Sequence, residues 1–141
     1  MQIDLPQDYH PSEDEPYMSP KQLEYFKRKL LFWREQLFRE SIETKARLKE
    51  ESLRKPDIAD SGSLESETTL ELRTHDRSRK LIAKINDALD RIEEGTYGYC
   101  EETGEEIGIK RLEARPVATL SITAQKRHEE MERRRRTRRA R

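Results

Sequence analysis

Residues 22–37 read QLEYFKRKLLFWREQL, and their large apolar side chains recur at the period of an α-helix. The spacings alternate between three and four residues, which is typical of a helix that packs along a narrow seam on a second helix. The same spacing continues toward residue 48 with smaller or more polar side chains. The predicted seam contains Leu23, Phe26, Leu30, Trp33, Leu37, Ser41, Thr44 and Leu48.

Signals for the start and end of this helix flank the seam. Ser19 can cap the helix, Pro20 suits the first helical position, and Gln22 can bond to otherwise unpaired amides. Pro56 disfavours helical geometry at the residue before it, so the helix is predicted to end near Arg54.

A second helix is predicted after the polar segment PDIADSGS and should stop at Gly95. Two long helices with a short connection pack antiparallel. We therefore predict a coiled-coil hairpin over residues 19–95 with its tip loop at 56–63. The predicted face of the second helix contains Leu70, Arg77, Leu81, Ile85, Ala88 and Ile92.

The composition favours an elongated all-α molecule. Only 32% of the 141 residues are hydrophobic and 41% are charged, which excludes a thick globular core. The net charge is zero, but residues 1–18 hold five acidic and no basic side chains, whereas residues 133–141 read RRRRTRRAR. We predict an acidic arm at 1–18 that is either flexible or draped over the surface.

No signal for membrane insertion or secretion is present, so the chain is expected in the cytoplasm. The single cysteine cannot form an intramolecular disulfide, which agrees with a reducing compartment.

The segment YGYCEETGEEIG, residues 97–108, has the rhythm of half a zinc knuckle. A structural zinc site needs four Cys or His ligands, usually as two closely spaced pairs. We therefore predict a degenerate, metal-free zinc-finger-like knuckle at 96–120, followed by a C-terminal helix with an arginine-rich tail at 121–141. The positions that correspond to the two ligand pairs are occupied by Cys100, Thr103, Ser121 and Ala124.

Only Cys100 of these four is a competent zinc ligand. An alternative site would join Cys100 to His128 and to Glu101 or Glu102, but no spacing fixes that geometry. Cys100 as a small buried apolar residue is the simpler interpretation.

Three motifs together resemble the bacterial DksA/TraR family of transcription factors. They are LELR at 70–73, YGYCE at 97–101 and GEEIGIKRLEARP at 104–116. The resemblance extends from about residue 17 to 130. Family members usually carry two C-x-x-C pairs, so this chain is similar to the zinc-independent branch, for which no zinc is expected.

The resemblance implies a function without catalysis. Such proteins insert their coiled coil into the secondary channel of RNA polymerase, destabilise promoter complexes and amplify the effect of ppGpp. The acidic tip maps onto Asp57 and Asp60, with Gly62 where the family typically has alanine. From the residues alone, the two aspartates are equally consistent with ordinary turn chemistry.

A basic stripe follows the second helix, where Arg73, Arg77, Leu81 and Lys84 recur at spacings of four, four and three. It is either a solvated face, paired along the helix with Glu71, Asp76 or Asp87, or a ligand surface. The resemblance implies contacts with polymerase and with ppGpp. The family's further ppGpp contact falls on Gln125, beside Lys126.

Two other function classes compete with this one. The arginine run could anchor a nucleic-acid-binding module, although such attraction is independent of sequence, and we expect no sequence-specific DNA binding. A dimerising coiled-coil scaffold would need seam residues left over after the hairpin pairs internally, so a monomer is expected. No P-loop, dinucleotide fingerprint or nucleophile elbow suggests an enzyme.

Overall fold

A computed structural model describes residues 3–54 and 61–140, with side chains except at 52, 54 and 61–68. The elements are α1 (Pro20–Arg54), α2 (Ser61–Glu94), α3 (Ile109–Ala114) and α4 (Ile122–Arg139). The part of the chain that is described contains no strand, and its one isolated β-bridge joins Tyr99 and Glu106. The predicted all-α class is confirmed.

The start of α1 uses the predicted residues with one difference. The Ser19 hydroxyl accepts a hydrogen bond from the Gln22 amide at 3.4 Å, as an N-cap does. The Gln22 side chain reaches one residue farther back than in a capping box and accepts from the Met18 amide at 2.8 Å. Gln22 is completely buried, which its polarity did not indicate.

The chain divides into two compact units, one formed by residues 30–87 and the other by 1–29 with 88–141. In the first unit, α1 and α2 run antiparallel. Arg34 Nη1 donates to Asn86 Oδ1 at 2.8 Å, and Ser41 Oγ lies 2.7 Å from His75 Nδ1. Higher residue numbers in α1 therefore pair with lower residue numbers in α2, as in an antiparallel pair of helices.

The seam predicted for α1 is confirmed. Phe26, Leu30 and Leu37 are buried, and the remaining seam positions are at least half-buried. The face predicted for α2 is partly wrong. Leu70 is 61% exposed and Arg77 is also exposed, whereas Ser78 is buried together with Ile85 and Ala88.

The bounds of α2 correct the predicted tip loop at one end. Residues 61–63, which the sequence places in the loop at 56–63, already belong to α2. At the other end the helix stops as predicted. Gly95 has a φ of 82°, and the Thr96 amide donates to the Arg91 carbonyl at 2.9 Å.

The second unit has its own small core. Tyr97, Leu112 and Ala124 are almost completely buried there, and the Phe26 ring lies 5.7 Å from the Tyr97 ring between centroids. The Tyr97 hydroxyl donates to the Pro116 carbonyl at 2.8 Å, so this buried phenol has a partner.

The described part of the acidic arm is draped against α1, which is one of the two arrangements predicted for it. The Tyr9 hydroxyl donates to Glu15 at 2.7 Å, and the Tyr9 ring packs edge-on against Tyr25 of α1. Gln22 Nε2 also donates to the Ser12 carbonyl at 3.1 Å. The tyrosines and one buried amide therefore hold the described part of the arm in place.

Two helical features near the C-terminus extend the prediction. The short α3 lies inside the predicted knuckle and was not expected, because six residues are too few for a periodic pattern. The predicted C-terminal helix, α4, continues through the arginine run to Arg139. No helix among residues 3–54 and 61–140 is long and apolar enough to cross a membrane.

Candidate functional site

Backbone hydrogen bonds fold the knuckle around Cys100. The Cys100 amide donates to the Glu105 carbonyl at 2.7 Å, and the Gly104 amide donates back to the Cys100 carbonyl at 2.9 Å. The Glu101 amide reaches the Thr119 carbonyl at 3.0 Å, which ties this turn to the segment before α4. The turn therefore closes through main-chain contacts.

The four positions that correspond to zinc ligands are linked by polar contacts. Burial by itself raises the pKa of the Cys100 thiol. The Thr103 hydroxyl and the amides of Ser121, Thr103 and Glu102 donate to the sulfur and lower its pKa to about 6. Ser121 also caps α4, because its hydroxyl accepts from the Ala124 amide at 3.3 Å.

These residues do not fit a tetrahedral zinc ion. The Ala124 methyl group has no lone pair, and the neutral hydroxyls of Thr103 and Ser121 are not ligands of structural zinc sites. Nowhere in the described ranges do three or more His, Cys, Asp or Glu residues form a group suited to a metal ion. The donors that face Cys100 instead suit a thiolate.

The alternative metal set that includes His128 also fails to assemble. His128 Nε2 contacts the Glu102 carboxylate, so two of its members do meet. Both are partly exposed, whereas Cys100 is buried and has hydroxyl and amide partners of its own. The His128–Glu102 pair therefore holds α4 to the knuckle.

Charged residues of the knuckle do not form the network expected from their spacing. Opposite charges lie close together in this segment and could form local ion pairs among Glu106, Arg111, Glu113 and Arg115. Arg111 instead donates to the Leu120 carbonyl at 2.9 Å. Glu113 pairs with Lys29 of α1 at 3.0 Å, and the Lys29 ammonium also donates to the Glu113 carbonyl at 2.9 Å.

Tyr17 is a structural residue that sequence reasoning missed. Its hydroxyl donates to the Gly98 carbonyl at 2.6 Å and accepts from the Gly108 amide at 2.9 Å. Gly98 has a φ of 91°, and a Cβ placed there would lie 2.8 Å from Met18 Cγ. The arm thus packs on the knuckle where only glycine fits, and no spacing pattern signals such a contact.

The cations of the basic stripe lie on the surface of α2. Arg73, Arg77 and Lys84 are exposed, and Leu81 is half-buried. Within the described residues none of the three cations has a carboxylate partner, so pairing with Glu71, Asp76 or Asp87 is not observed. The stripe therefore offers three positive charges that no described carboxylate neutralises.

The structure describes only some of the other predicted contact residues. Gln125 and Lys126 lie in the first turns of α4, and Gln125 Nε2 donates to Glu129 at 3.3 Å. Gly62 lies in the first turn of α2. Asp57 and Asp60 lie outside the described residues.

Two family models match the chain. The model of the DnaK suppressor protein DksA N-terminal domain matches residues 22–92, and the prokaryotic dksA/traR C4-type zinc finger matches 95–130. The chain belongs to the DksA/TraR family. The matched ranges include nearly all of α1 and α2, all of α3 and the start of α4, and they end before the arginine run.

Named relatives and a solved DksA structure resemble most of the chain. It is 61% identical to the RNA polymerase-binding transcription factor DksA of Caulobacter vibrioides over 126 residues, 89% of each protein. It is 46% identical to DksA of Escherichia coli K12 over 114 residues, 81% of this chain and 76% of that one.

The structure of transcription factor DksA2 from Pseudomonas aeruginosa matches with a TM-score of 0.78 and 41% identity, covering 83% of this chain and 90% of that one. This DksA-family chain therefore shares its fold with a relative of known structure, although its knuckle keeps only one cysteine.

Proposed function

We propose that this chain is a transcription regulator that binds RNA polymerase and catalyses no reaction of its own. The observation that carries the proposal is the 61% identity with a Caulobacter protein named as an RNA polymerase-binding transcription factor, over 89% of both chains. RNA polymerase as a partner supports a cytoplasmic location for the protein.

In the proposed mechanism, the coiled-coil hairpin is the part of the protein that reaches the active centre of the polymerase. The coiled coil enters the secondary channel of the polymerase, and Asp57 and Asp60 approach basic groups or a magnesium ion near the active centre. Carboxylate oxygens are suited to both. The bound factor destabilises promoter complexes, inhibits ribosomal RNA promoters and activates some others.

The stripe of Arg73, Arg77 and Lys84 is the proposed contact surface for polymerase and ppGpp. Its cations are exposed and have no carboxylate partner among the described residues, and guanidinium and ammonium groups bind phosphate through charge-assisted hydrogen bonds. Lys126 and Gln125 are the proposed second ppGpp contact. Because Gln125 carries no charge, ppGpp should depend more strongly on the stripe than on α4.

We further propose that the knuckle folds without zinc. Support comes from the donor chemistry, since Cys100 is the one competent ligand of the four positions and accepts hydrogen bonds from Thr103 and Ser121. The polar contacts replace the metal as the link between the turn and α4.

A binding experiment tests the polymerase contact. Immobilised bacterial RNA polymerase is titrated with the full chain and with an Arg73→Gln/Arg77→Gln/Lys84→Gln variant, each with and without ppGpp. We expect the variant to bind about tenfold more weakly or to lose the response to ppGpp.

The matched control removes three exposed charges from α4 with Arg133→Gln/Arg135→Gln/Arg138→Gln and should bind polymerase like the wild type. Absence of polymerase binding by the wild-type chain contradicts the proposed function. Equal binding and equal ppGpp response of wild type and stripe variant contradict the role of the stripe.

A further inference from the structure

The end of α4 carries a dense positive charge that the family relationship does not explain. Both family models stop at or before residue 130, whereas the arginine run begins at Arg133. The helix nevertheless continues to Arg139, and every residue from 126 to 140 is exposed. A rigid, solvated cationic helix therefore extends beyond the family core.

Only part of this charge is used inside the molecule. Arg134 pairs with Glu130 at 3.0 Å and Arg136 with Glu132 at 3.7 Å. Among the described residues, Arg133, Arg135, Arg138 and Arg139 have no carboxylate partner. Four guanidinium groups remain available to an external anion.

The helix dipole accounts for some of these arginines and not for others. Cations in the last turn of a helix are stabilised by its partial negative charge, and this effect fades beyond that turn. Arg136, Arg138 and Arg139 occupy the last turn, but Arg133 and Arg135 do not. Arg135 and Arg139 are also four residues apart, where like charges repel on a helix. A polyanion would relieve this repulsion.

The chemistry of the surface indicates phosphate as the anion. Guanidinium groups bind phosphate through two parallel hydrogen bonds, and Arg133 and Arg138 flank the Glu130–Arg134 ion pair on one face of the helix. Protein interfaces normally need apolar or aromatic anchors. Residues 132–141 contain no such side chain larger than alanine, so an acidic protein is a poorer match than a nucleic acid.

The same composition distinguishes between kinds of nucleic acid. Single strands are held by aromatic side chains that stack on bases, and residues 122–141 contain no Phe, Tyr or Trp. A helix about 10–12 Å across fits the B-DNA major groove, which is about 12 Å wide, whereas the major groove of duplex RNA is narrow. Duplex DNA is therefore the best match.

We propose that the arginine-rich end of α4, residues 133–139, binds the phosphate backbone of double-stranded DNA independently of sequence. This contact goes beyond polymerase binding and does not depend on it. It supplies a second attachment for a factor whose hairpin binds the transcription machinery. The affinity expected for such non-specific contacts corresponds to a Kd of about 10⁻⁴ to 10⁻⁶ M at physiological salt.

The test is fluorescence anisotropy of a labelled mixed-sequence DNA duplex, titrated with the full chain over a series of salt concentrations. If the four arginines neutralise four phosphates, the slope of log K against log salt should be about −3.6, or −0.9 for each phosphate. The variant Arg133→Gln/Arg135→Gln/Arg138→Gln/Arg139→Gln keeps good helix formers and should lose most of this slope and at least ~tenfold in affinity.

Two further proteins control for folding and for net charge. A chain that ends at Met131 should lose DNA binding in the same way while retaining the rest of the molecule. A variant with Arg39, Lys45, Arg47 and Lys49 of α1 each replaced by Gln removes the same number of exposed charges and should bind DNA like the wild type.

Several results overturn the proposal. They are absence of DNA binding by the wild type, unchanged binding by the chain that ends at Met131, and an equal loss in the α1 control. Tighter binding of duplex RNA, single-stranded DNA or polyglutamate than of duplex DNA overturns it as well and identifies the alternative partner. None of these results bears on polymerase binding, which is measured separately.

Discussion

The Tyr17 hydroxyl lies 2.6 Å from the Gly98 carbonyl oxygen and joins the N-terminal arm to the knuckle. The same hydroxyl accepts from the Gly108 amide at 2.9 Å, so one side chain bonds to both ends of the turn around Cys100. This arrangement is independent of metal. It explains how a knuckle with one cysteine keeps its shape.

The Tyr17→Phe variant should lower the free energy of unfolding by about 1–2 kcal/mol, because two part-buried backbone groups lose a partner. Chemical denaturation measures this change. Tyr99→Phe is the matched control, since the Tyr99 ring packs against Tyr17 and is half-exposed. The control should change stability by less than about 0.5 kcal/mol. Equal effects of the two variants would refute the role of the Tyr17 hydroxyl.

Gly98→Ala should destabilise the knuckle by about 1–3 kcal/mol, because the left-handed backbone is strained for alanine and the new Cβ meets Met18 at 2.8 Å. Gly104→Ala is the comparison. Gly104 has a φ of 74° but nothing lies within 4 Å of the new Cβ, so only the backbone strain applies. Thermal unfolding should give a lower melting temperature for Gly98→Ala than for Gly104→Ala. The reverse order would be inconsistent with close packing at Met18.

Cys100 should make stability depend on pH. Its pKa is lowered from 9.0 to about 6 in the folded protein, so the unfolded chain binds more protons between these values. The resulting stabilisation is fully present above about pH 9 and is lost as pH falls through about 6. Denaturation at several pH values should show wild-type stability rising relative to Cys100→Ser across this window. A constant difference between the two proteins would mean that the thiolate is not preferentially stabilised.

Lys29 and Glu113 should contribute a small, measurable coupling. The ion pair is 3.0 Å long and about a third exposed on each side, which corresponds to roughly 0.2–1 kcal/mol for such pairs. A double-mutant cycle with Lys29→Met and Glu113→Gln measures the coupling by denaturation. Arg115 is exposed and has no ion pair in the described part of the chain, so Arg115→Met should be nearly neutral. If Arg115→Met lowers the free energy of unfolding more than Lys29→Met does, the ion-pair network expected from the sequence would be supported instead.

The sequence predicts the long helices well because strong local signals agree. Around Leu30 the apolar spacing is strict, and Pro20 and Gly95 mark helix ends through backbone chemistry. On α2 the pattern is sparse, and the buried position falls on Ser78 rather than Arg77. A small polar residue can occupy a narrow seam without producing a hydrophobic signal.

The parts that sequence reasoning missed depend on contacts between distant residues. Gln22 is buried because the arm folds over it, and Tyr17 acts on residues more than eighty positions away. The lowered pKa of Cys100 likewise depends on a donor from Ser121 at the start of α4. The spacing of zinc-ligand pairs identifies the four positions, but only the three-dimensional arrangement shows which hydroxyl and amide donors surround the Cys100 sulfur.

Regulation of transcription through RNA polymerase can be measured by single-round transcription from a ribosomal RNA promoter. The proteins compared are the wild type, Asp60→Asn and the exposed-arm control Asp8→Asn, each with and without ppGpp. We expect the wild type and Asp8→Asn to inhibit transcription, and ppGpp to strengthen this inhibition. An Asp60→Asn variant that still folds and binds polymerase should inhibit little. Unchanged transcription with the wild-type protein would show that this chain does not regulate transcription in this way.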